Sequence, residues 1–129
     1  MSGRYLLDTH IAIAMLGGDK TVARRVRQSK EVYLCSTVLG ELYWGAFNSG
    51  KRDENVRKID DLAAHSTVLV CDPNTAREYG LVKQRLHQKG RPIPENDIWI
   101  GATARQHSLT LVTRDAHFGE IEGLATEAW

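Results

Sequence analysis

Short apolar runs at residues 4–7, 32–35, 67–70 and 109–113 alternate with stretches of helical period, and that alternation leaves few folds open. Strands separated by helices pair in parallel through crossovers. The helical stretches cover residues 9–16, broken by Gly17-Gly18, and 20–28, where Val22 and Val26 stand four apart. Ser36 is placed to cap a third helix carrying Leu39, Leu42, Tyr43 and Ala46. A fourth covers 54–64, with Val56, Ile59, Leu62 and Ala63 on one side. A fifth runs from about residue 74 to 88 and stops at Gly90. Arg91-Pro92-Ile93-Pro94 is held extended by its prolines, and 97–106 is helical again. Residues 124–129 offer a short fifth strand. The pattern predicts one α/β domain over residues 1–129, a central, mainly parallel sheet of four to five strands flanked by helices.

A chain of 129 residues buries roughly two-thirds of its unfolded surface in one domain. Its 42% hydrophobic content excludes a disordered tail. No apolar run approaches the roughly 20 residues that span a bilayer. Met1-Ser2-Gly3-Arg4 leads into a strand without a signal-peptide core, so a soluble cytoplasmic protein is expected, with no membrane partner. Cys35 and Cys71 lack zinc-ligand spacing and read as small buried residues rather than a disulfide. The net charge of +1 does not announce a nucleic-acid binder. It hides two basic groups, Lys20, Arg24, Arg25, Arg27 and Lys30, and Lys83, Arg85, Lys89 and Arg91. From charge alone these are solvated helix faces; around an acidic centre they would be a rim for a polyanion.

Four acids supply that centre. Asp8 closes the first strand, Glu41 lies early in the third helix, Asp97 opens a helix and Asp115 follows the 109–113 strand. In a parallel α/β sheet ligands bind outside the carboxyl ends of the strands. Acids gathered there repel one another unless a cation neutralises them, and oxygen-only donors suit Mg²⁺ or Mn²⁺. Asp8, Asp97 and Asp115 taken singly read equally as helix caps. Glu41, among Leu39, Leu42 and Tyr43, has no such explanation. Asp60-Asp61 sits on an amphipathic helix with a solvated face. His10 either faces the site or is an ordinary first-turn residue, and His65, His87, His107 and His117 share no ligand spacing. There is no Gly-x-Ser-x-Gly elbow, P-loop or dinucleotide fingerprint.

These segments taken in order resemble a known family. Leu6-Leu7-Asp8-Thr9-His10, Ser36-x-x-x-x-Glu41-Leu42, Ile93-Pro94-Glu95-Asn96-Asp97-Ile98-Trp99-Ile100-Gly101-Ala102 and Leu111-Val112-Thr113-Arg114-Asp115-x-x-Phe118 resemble the signatures of PIN-domain ribonucleases, above all the VapC toxins of bacterial toxin–antitoxin pairs. Ile121-x-Gly123-Leu124 and Trp129 are similar to the usual tail of that family, and the likeness covers nearly the whole chain. The resemblance implies that Asp8, Glu41, Asp97 and Asp115 are the catalytic, metal-holding quartet, with Mg²⁺ as cofactor and Mn²⁺ able to substitute. It implies that Thr113 supports the site and that Asn96 orients a water or a carboxylate. Gly101 departs from the pattern, since many relatives carry alanine there. Arg24, Arg25 and Arg114 are expected to hold RNA through its phosphates. Also implied are an endoribonuclease acting on structured RNA such as transfer RNA, inhibition of translation, a homodimer, and a cognate antitoxin whose C-terminal segment lies across the site. Two other classes stay open. A dehalogenase-type phosphatase wants Asp-x-Asp after the first strand, where this chain has Asp8-Thr9-His10. A catalytically idle binding module would have no need of the quartet.

Overall fold

The computed structural model describes residues 3–129, so the reading of Met1 and Ser2 lies outside the described residues. Five strands, β1 (Arg4–Leu7), β2 (Glu31–Cys35), β3 (Thr67–Leu69), β4 (Thr110–Val112) and β5 (Thr126–Glu127), form one all-parallel sheet in the order β3-β2-β1-β4-β5. Six helices connect and flank them: α1 (Thr9–Leu16), α2 (Lys20–Gln28), α3 (Ser36–Phe47), α4 (Arg52–Ala64), α5 (Pro73–Gln88) and α6 (Glu95–Gln106). A short 3-10 helix, Ala116–Glu120, follows β4. β1 is central because Tyr5, Leu6 and Leu7 are apolar without interruption and all buried, as a strand covered on both faces requires.

Local chemistry sets the boundaries. Asp8 caps α1 by accepting the Ile11 N–H at 2.9 Å, and Asp19 caps α2 through the N–H groups of Thr21 and Val22. Between them Gly18 takes φ +86°, a left-handed turn that costs glycine nothing. α5 starts one residue before expectation, at Pro73, because Asp72 and Thr75 close a capping box around it. It ends as Gly90 takes φ +64° and the Arg91 N–H reaches back to the Leu86 carbonyl.

Two expectations need correction. Ser36 does not cap α3: it is the first helical residue, Cys35 holds the cap position without a side-chain bond, and the Ser36 hydroxyl turns to the Leu69 carbonyl at 3.4 Å. Cys71 is exposed, because β3 stops at Leu69 and the chain swings out towards Asp72. Cys35 is buried as expected, burial pushing its thiol up to about 11, and both cysteines are free.

Gly101 is explained by packing. A Cβ there would stand 2.6 Å from Cδ1 of Ile121, so the isoleucine fills the space a larger residue would take. Alanine improves helix propensity by about 1 kcal/mol but overpacks this contact at a cost of about 1–3 kcal/mol. Ile121→Val removes the obstructing methyl and alone costs about 0.5–1.5 kcal/mol. Urea denaturation should therefore show Gly101→Ala/Ile121→Val to be more stable than the sum of the single changes, by about 0.5 kcal/mol or more. Strict additivity would mean that the two side chains do not compete.

Candidate functional site

The strand order places a topological switch beside β1. The chain proceeds from β1 to β2 and β3 on one side, then crosses to β4 and β5 on the other. The crevice of such a sheet lies outside the carboxyl ends of the two strands at the switch, here β1 and β4. Asp8 follows β1 directly, and its N–H donates to the Val112 carbonyl of β4 at 3.1 Å. Thr113 and Asp115 follow β4, while the first turn of α6 brings Asp97; Glu41, expected early in its helix, stands at the middle of α3, which runs from Ser36 to Phe47. All four acids line one open cleft of about 1100 Å³, together with Thr9, His10 and Asn96.

Each carboxylate has its own partners. Asp8 is only 3% exposed, and a carboxylate so buried needs hydrogen bonds. Oδ1 accepts the Ile11 N–H, and Oδ2 accepts the Thr113 hydroxyl at 2.5 Å. Thr113 in turn accepts the Asp115 N–H at 3.0 Å, so one hydroxyl ties the ends of β1 and β4 together. Glu41 accepts the Thr9 hydroxyl at 2.5 Å. Asp97 lies 2.7 Å from Nε2 of His117, and Nδ1 of the same ring lies 2.7 Å from Asp115. With both carboxylates ionised, both contacts are hydrogen bonds at once when the imidazole carries two protons. Partial burial holds the Asp97 carboxyl above the usual carboxylate range; His117 opposes that shift, and the negative charges of Glu41 and Asp115 add to it.

The cap alternative divides. Asp8 does cap α1, and Asp115 caps the 3-10 helix by accepting the His117 N–H at 3.2 Å. Asp97 caps nothing: Pro94 holds that position before α6, and Asp97 turns to His117 instead. Two contributors were not foreseen. Thr9 is hidden in a helix start, and His117 lacks metal-ligand spacing; the visible signal was its place two residues after Asp115.

Donor chemistry fits a hard cation, since each oxygen in these bonds keeps a further lone pair. As arranged, no three acid, histidine or cysteine side chains among the described residues stand close enough to hold one ion. Like charges repel across the cleft, and hydroxyl and imidazole donors take up the nearer lone pairs. Asn96 is exposed on the cleft wall. The three arginines expected to hold RNA are not among its lining residues. Arg114 donates to the Trp129 carbonyl at 2.7 Å and pairs with Asp19 at 3.1 Å. Arg25 lies 3.8 Å from Glu127, and Arg24 is an exposed residue of the same helix, α2. Their charges secure the β4–β5 end of the molecule or face solvent.

A small parallel α/β domain with acids gathered at its switch point is the class this geometry defines. The PIN domain family matches residues 5–124. The chain belongs to that family and, within it, to the VapC ribonucleases. It is 33% identical over 129 residues to ribonuclease VapC2 of Haemophilus influenzae, covering 98% of each chain. It is 30% identical over 129 residues to a tRNA(fMet)-specific endonuclease VapC of Shigella flexneri, again covering 98% of each. Among solved structures it is similar to VapBC2 of Rickettsia felis bound to a promoter DNA fragment, with TM-score 0.91, 27% identity and coverage of 100% of this chain and 99% of that one. No helix of the described residues is long and apolar enough to cross a membrane.

Proposed function

We propose that this chain is a divalent-metal-dependent endoribonuclease that acts in the cytoplasm as the toxin of a toxin–antitoxin pair. The observation that carries the proposal is that Asp8 after β1, Glu41 on α3, Asp97 on α6 and Asp115 after β4 line one cleft at the sheet's switch point. Asp8 and Asp97 are the firmest candidates to hold Mg²⁺ or Mn²⁺, with Glu41 and Asp115 completing the set directly or through water. When bound, such an ion lowers the pKa of its water and offsets charge on the phosphate oxygens.

The chain's own residues do the positioning. Thr113 and the Ile11 N–H pin both oxygens of Asp8, so its remaining lone pairs keep a fixed direction. Thr9 holds Glu41 in the same way. His117 keeps Asp97 and Asp115 in register. A carboxylate so placed can orient a water for in-line attack, with Asn96 available on the wall as a further hydrogen-bonding group. Structured RNA, with transfer RNA foremost, is the proposed substrate, supported by the named specificity of the Shigella relative. Its loss would inhibit translation. A cognate antitoxin is the proposed partner, supported by the Rickettsia neighbour having been solved as a VapBC pair. A homodimer is proposed from family resemblance alone, and sedimentation of the purified chain tests it.

Purified protein should cleave RNA with Mg²⁺ or Mn²⁺ and stop when EDTA is added. Cleavage that persists in EDTA would remove the metal from the account, and no cleavage under any divalent ion would favour an idle binding module.

A further inference from the structure

Outside the cleft, α2 is basic along its whole length. Residues 20–30 carry Lys20, Arg24, Arg25, Arg27 and Lys30 and no acid, so nothing in the segment itself neutralises them. A run of like charge on a helix is ordinarily a solvated face. Here Lys20, Arg24 and Arg27, four and then three residues apart, share one face of α2, and all three are exposed. Val22, on another side of the helix, is buried in the core. Among the described residues no acid forms an ion pair with any of the three, while Arg25, further round the helix, reaches Glu127 at 3.8 Å. The arrangement works against the helix. Like charges three and four apart repel, and Lys20 stands in the first turn, where the positive end of the helix dipole disfavours a cation. An anion from outside the fold would offset both.

This ridge has a fixed place relative to the acids. Asp19 caps α2 through Oδ1, and its Oδ2 takes the Arg114 guanidinium at 3.1 Å. Arg114 stands in the chain between Thr113 and Asp115, so the N-terminus of α2 is tied to the end of β4 beside the cleft. From Lys20 the ridge runs about 10 Å along the helix axis to Arg27.

We propose that this ridge seats a base-paired RNA segment adjoining the cleaved phosphodiester. Lys20, Arg24 and Arg27 meet phosphates of the stem, with the exposed Thr21 and Gln28 beside them as hydrogen-bonding groups for phosphate or 2′-hydroxyl oxygens. This rests on the ribonuclease reading and adds to it where the stem of a structured RNA lies. A paired segment fits the ridge better than a single strand. α2 has no aromatic side chain on which an unpaired base could stack, whereas single strands are held on aromatic platforms. Duplex RNA is bound by shape, through its phosphates and 2′-hydroxyls, which cations and small polar groups suffice to contact. Of the arginines expected to hold RNA, Arg24 alone keeps that role. Arg25 and Arg114 are turned to Glu127 and Asp19, and Lys20 and Arg27 stand in their stead.

The probe is a fluorescein-labelled RNA hairpin with a stem of about 16 base pairs, the span of a double-strand binder, compared with an unpaired RNA of equal length. Binding is followed by anisotropy in EDTA, and cleavage of the hairpin is followed in Mn²⁺. Arg24→Gln should weaken hairpin binding and reduce the slope of log K against log salt by about 1. The triple change Lys20→Gln, Arg24→Gln and Arg27→Gln should reduce it by about 2 or more. Arg24→Lys should keep the wild-type slope. Arg57→Gln, which removes an exposed cation from α4, should keep it too; a loss there equal to that of Arg24→Gln would make the effect one of overall charge and overturn the proposal. Glutamine keeps the helix propensity and removes the repulsion, so the triple variant should melt no lower than the wild type. In the cleavage assay it should raise KM with kcat little changed. A wild-type salt slope in the triple variant would overturn the proposal and leave the nuclease standing. So would equal loss on the unpaired RNA, or unchanged hairpin binding with loss of antitoxin binding, which would assign the ridge to an acidic protein. Ridge-dependent hairpin binding by a wild type that never cleaves would keep the ridge and discard the nuclease.

Discussion

Asp8→Asn and Asp97→Asn are each expected to lower Mn²⁺-dependent RNA cleavage by at least about a hundredfold, the scale of losing one preorganised electrostatic group. Asparagine removes the charge while leaving the local structure in place. At Asp8 the amide oxygen can still accept the Ile11 N–H, and the Thr113 hydroxyl can turn to accept from the new NH₂ group. At Asp97 no helix cap is lost, because Pro94 holds that position. The loss should therefore appear in kcat at unchanged fold, checked by single-turnover kinetics beside circular dichroism. Undiminished cleavage by the double variant would assign the activity to another site or to a contaminant.

The second large effect is expected in the cell. Expression of the wild type alone should arrest bacterial growth by blocking protein synthesis, and Glu41→Gln should relieve the arrest. Glutamine keeps an acceptor for the Thr9 hydroxyl, so relief would report the missing charge rather than a damaged helix. Co-expression of the antitoxin from an adjacent reading frame should restore growth with the wild type. Harmless expression of soluble, RNA-cleaving wild type in several hosts would remove the toxin role and leave the nuclease standing. Growth curves and pulse labelling of new protein decide between the two.

Much of the fold could be read in advance because its signals are local. β1, α1 and α2 fall at their expected bounds: an uninterrupted apolar strand, Asp8 as a candidate cap and the Gly17-Gly18 break all act within a few residues. The errors arise where a distant partner decides. The Ser36 hydroxyl is drawn to Leu69, a residue 33 positions away. Cys71, expected to be buried just past a strand at 67–70, is exposed because β3 stops at Leu69. The 3-10 helix at Ala116–Glu120 is too short to show a period. In the site, Asp8, Asp97 and Asp115 announced themselves by standing next to strand ends or a helix start, and Glu41, at the middle of α3, by being an acid among apolar neighbours. His117 did not, because its two contacts, to Asp97 on α6 and to Asp115, exist only after β4 is laid beside β1. The basic residues are harder to read, for the opposite reason. A cluster of charges in sequence shows which residues share a helix and not which way that helix faces, and Arg25 and Arg114 found acids elsewhere.

The claim on which the rest depends, that Asp97 belongs to a metal centre, is tested most directly by thermal melting in Mn²⁺ and in EDTA. An ion that binds only the folded form at ten times its dissociation constant stabilises by about 1.4 kcal/mol, roughly 5 °C for a chain of this length. Because burial holds the Asp97 carboxyl above its ordinary range, its ionised form costs the folded state stability at neutral pH. That cost disappears as pH falls through the folded-state pKa and the group takes up its proton. In EDTA at neutral pH, Asp97→Asn should therefore melt at or above the wild type, and the difference should fade in acid. In Mn²⁺ the wild type should gain its few degrees and Asp97→Asn should gain little or nothing, while Asp61→Asn, an exposed acid on α4 away from the cleft, should respond in full. If Asp97→Asn instead melts lower in EDTA and keeps the whole Mn²⁺ increment, Asp97 is a structural partner of His117 and the proposed centre is contradicted.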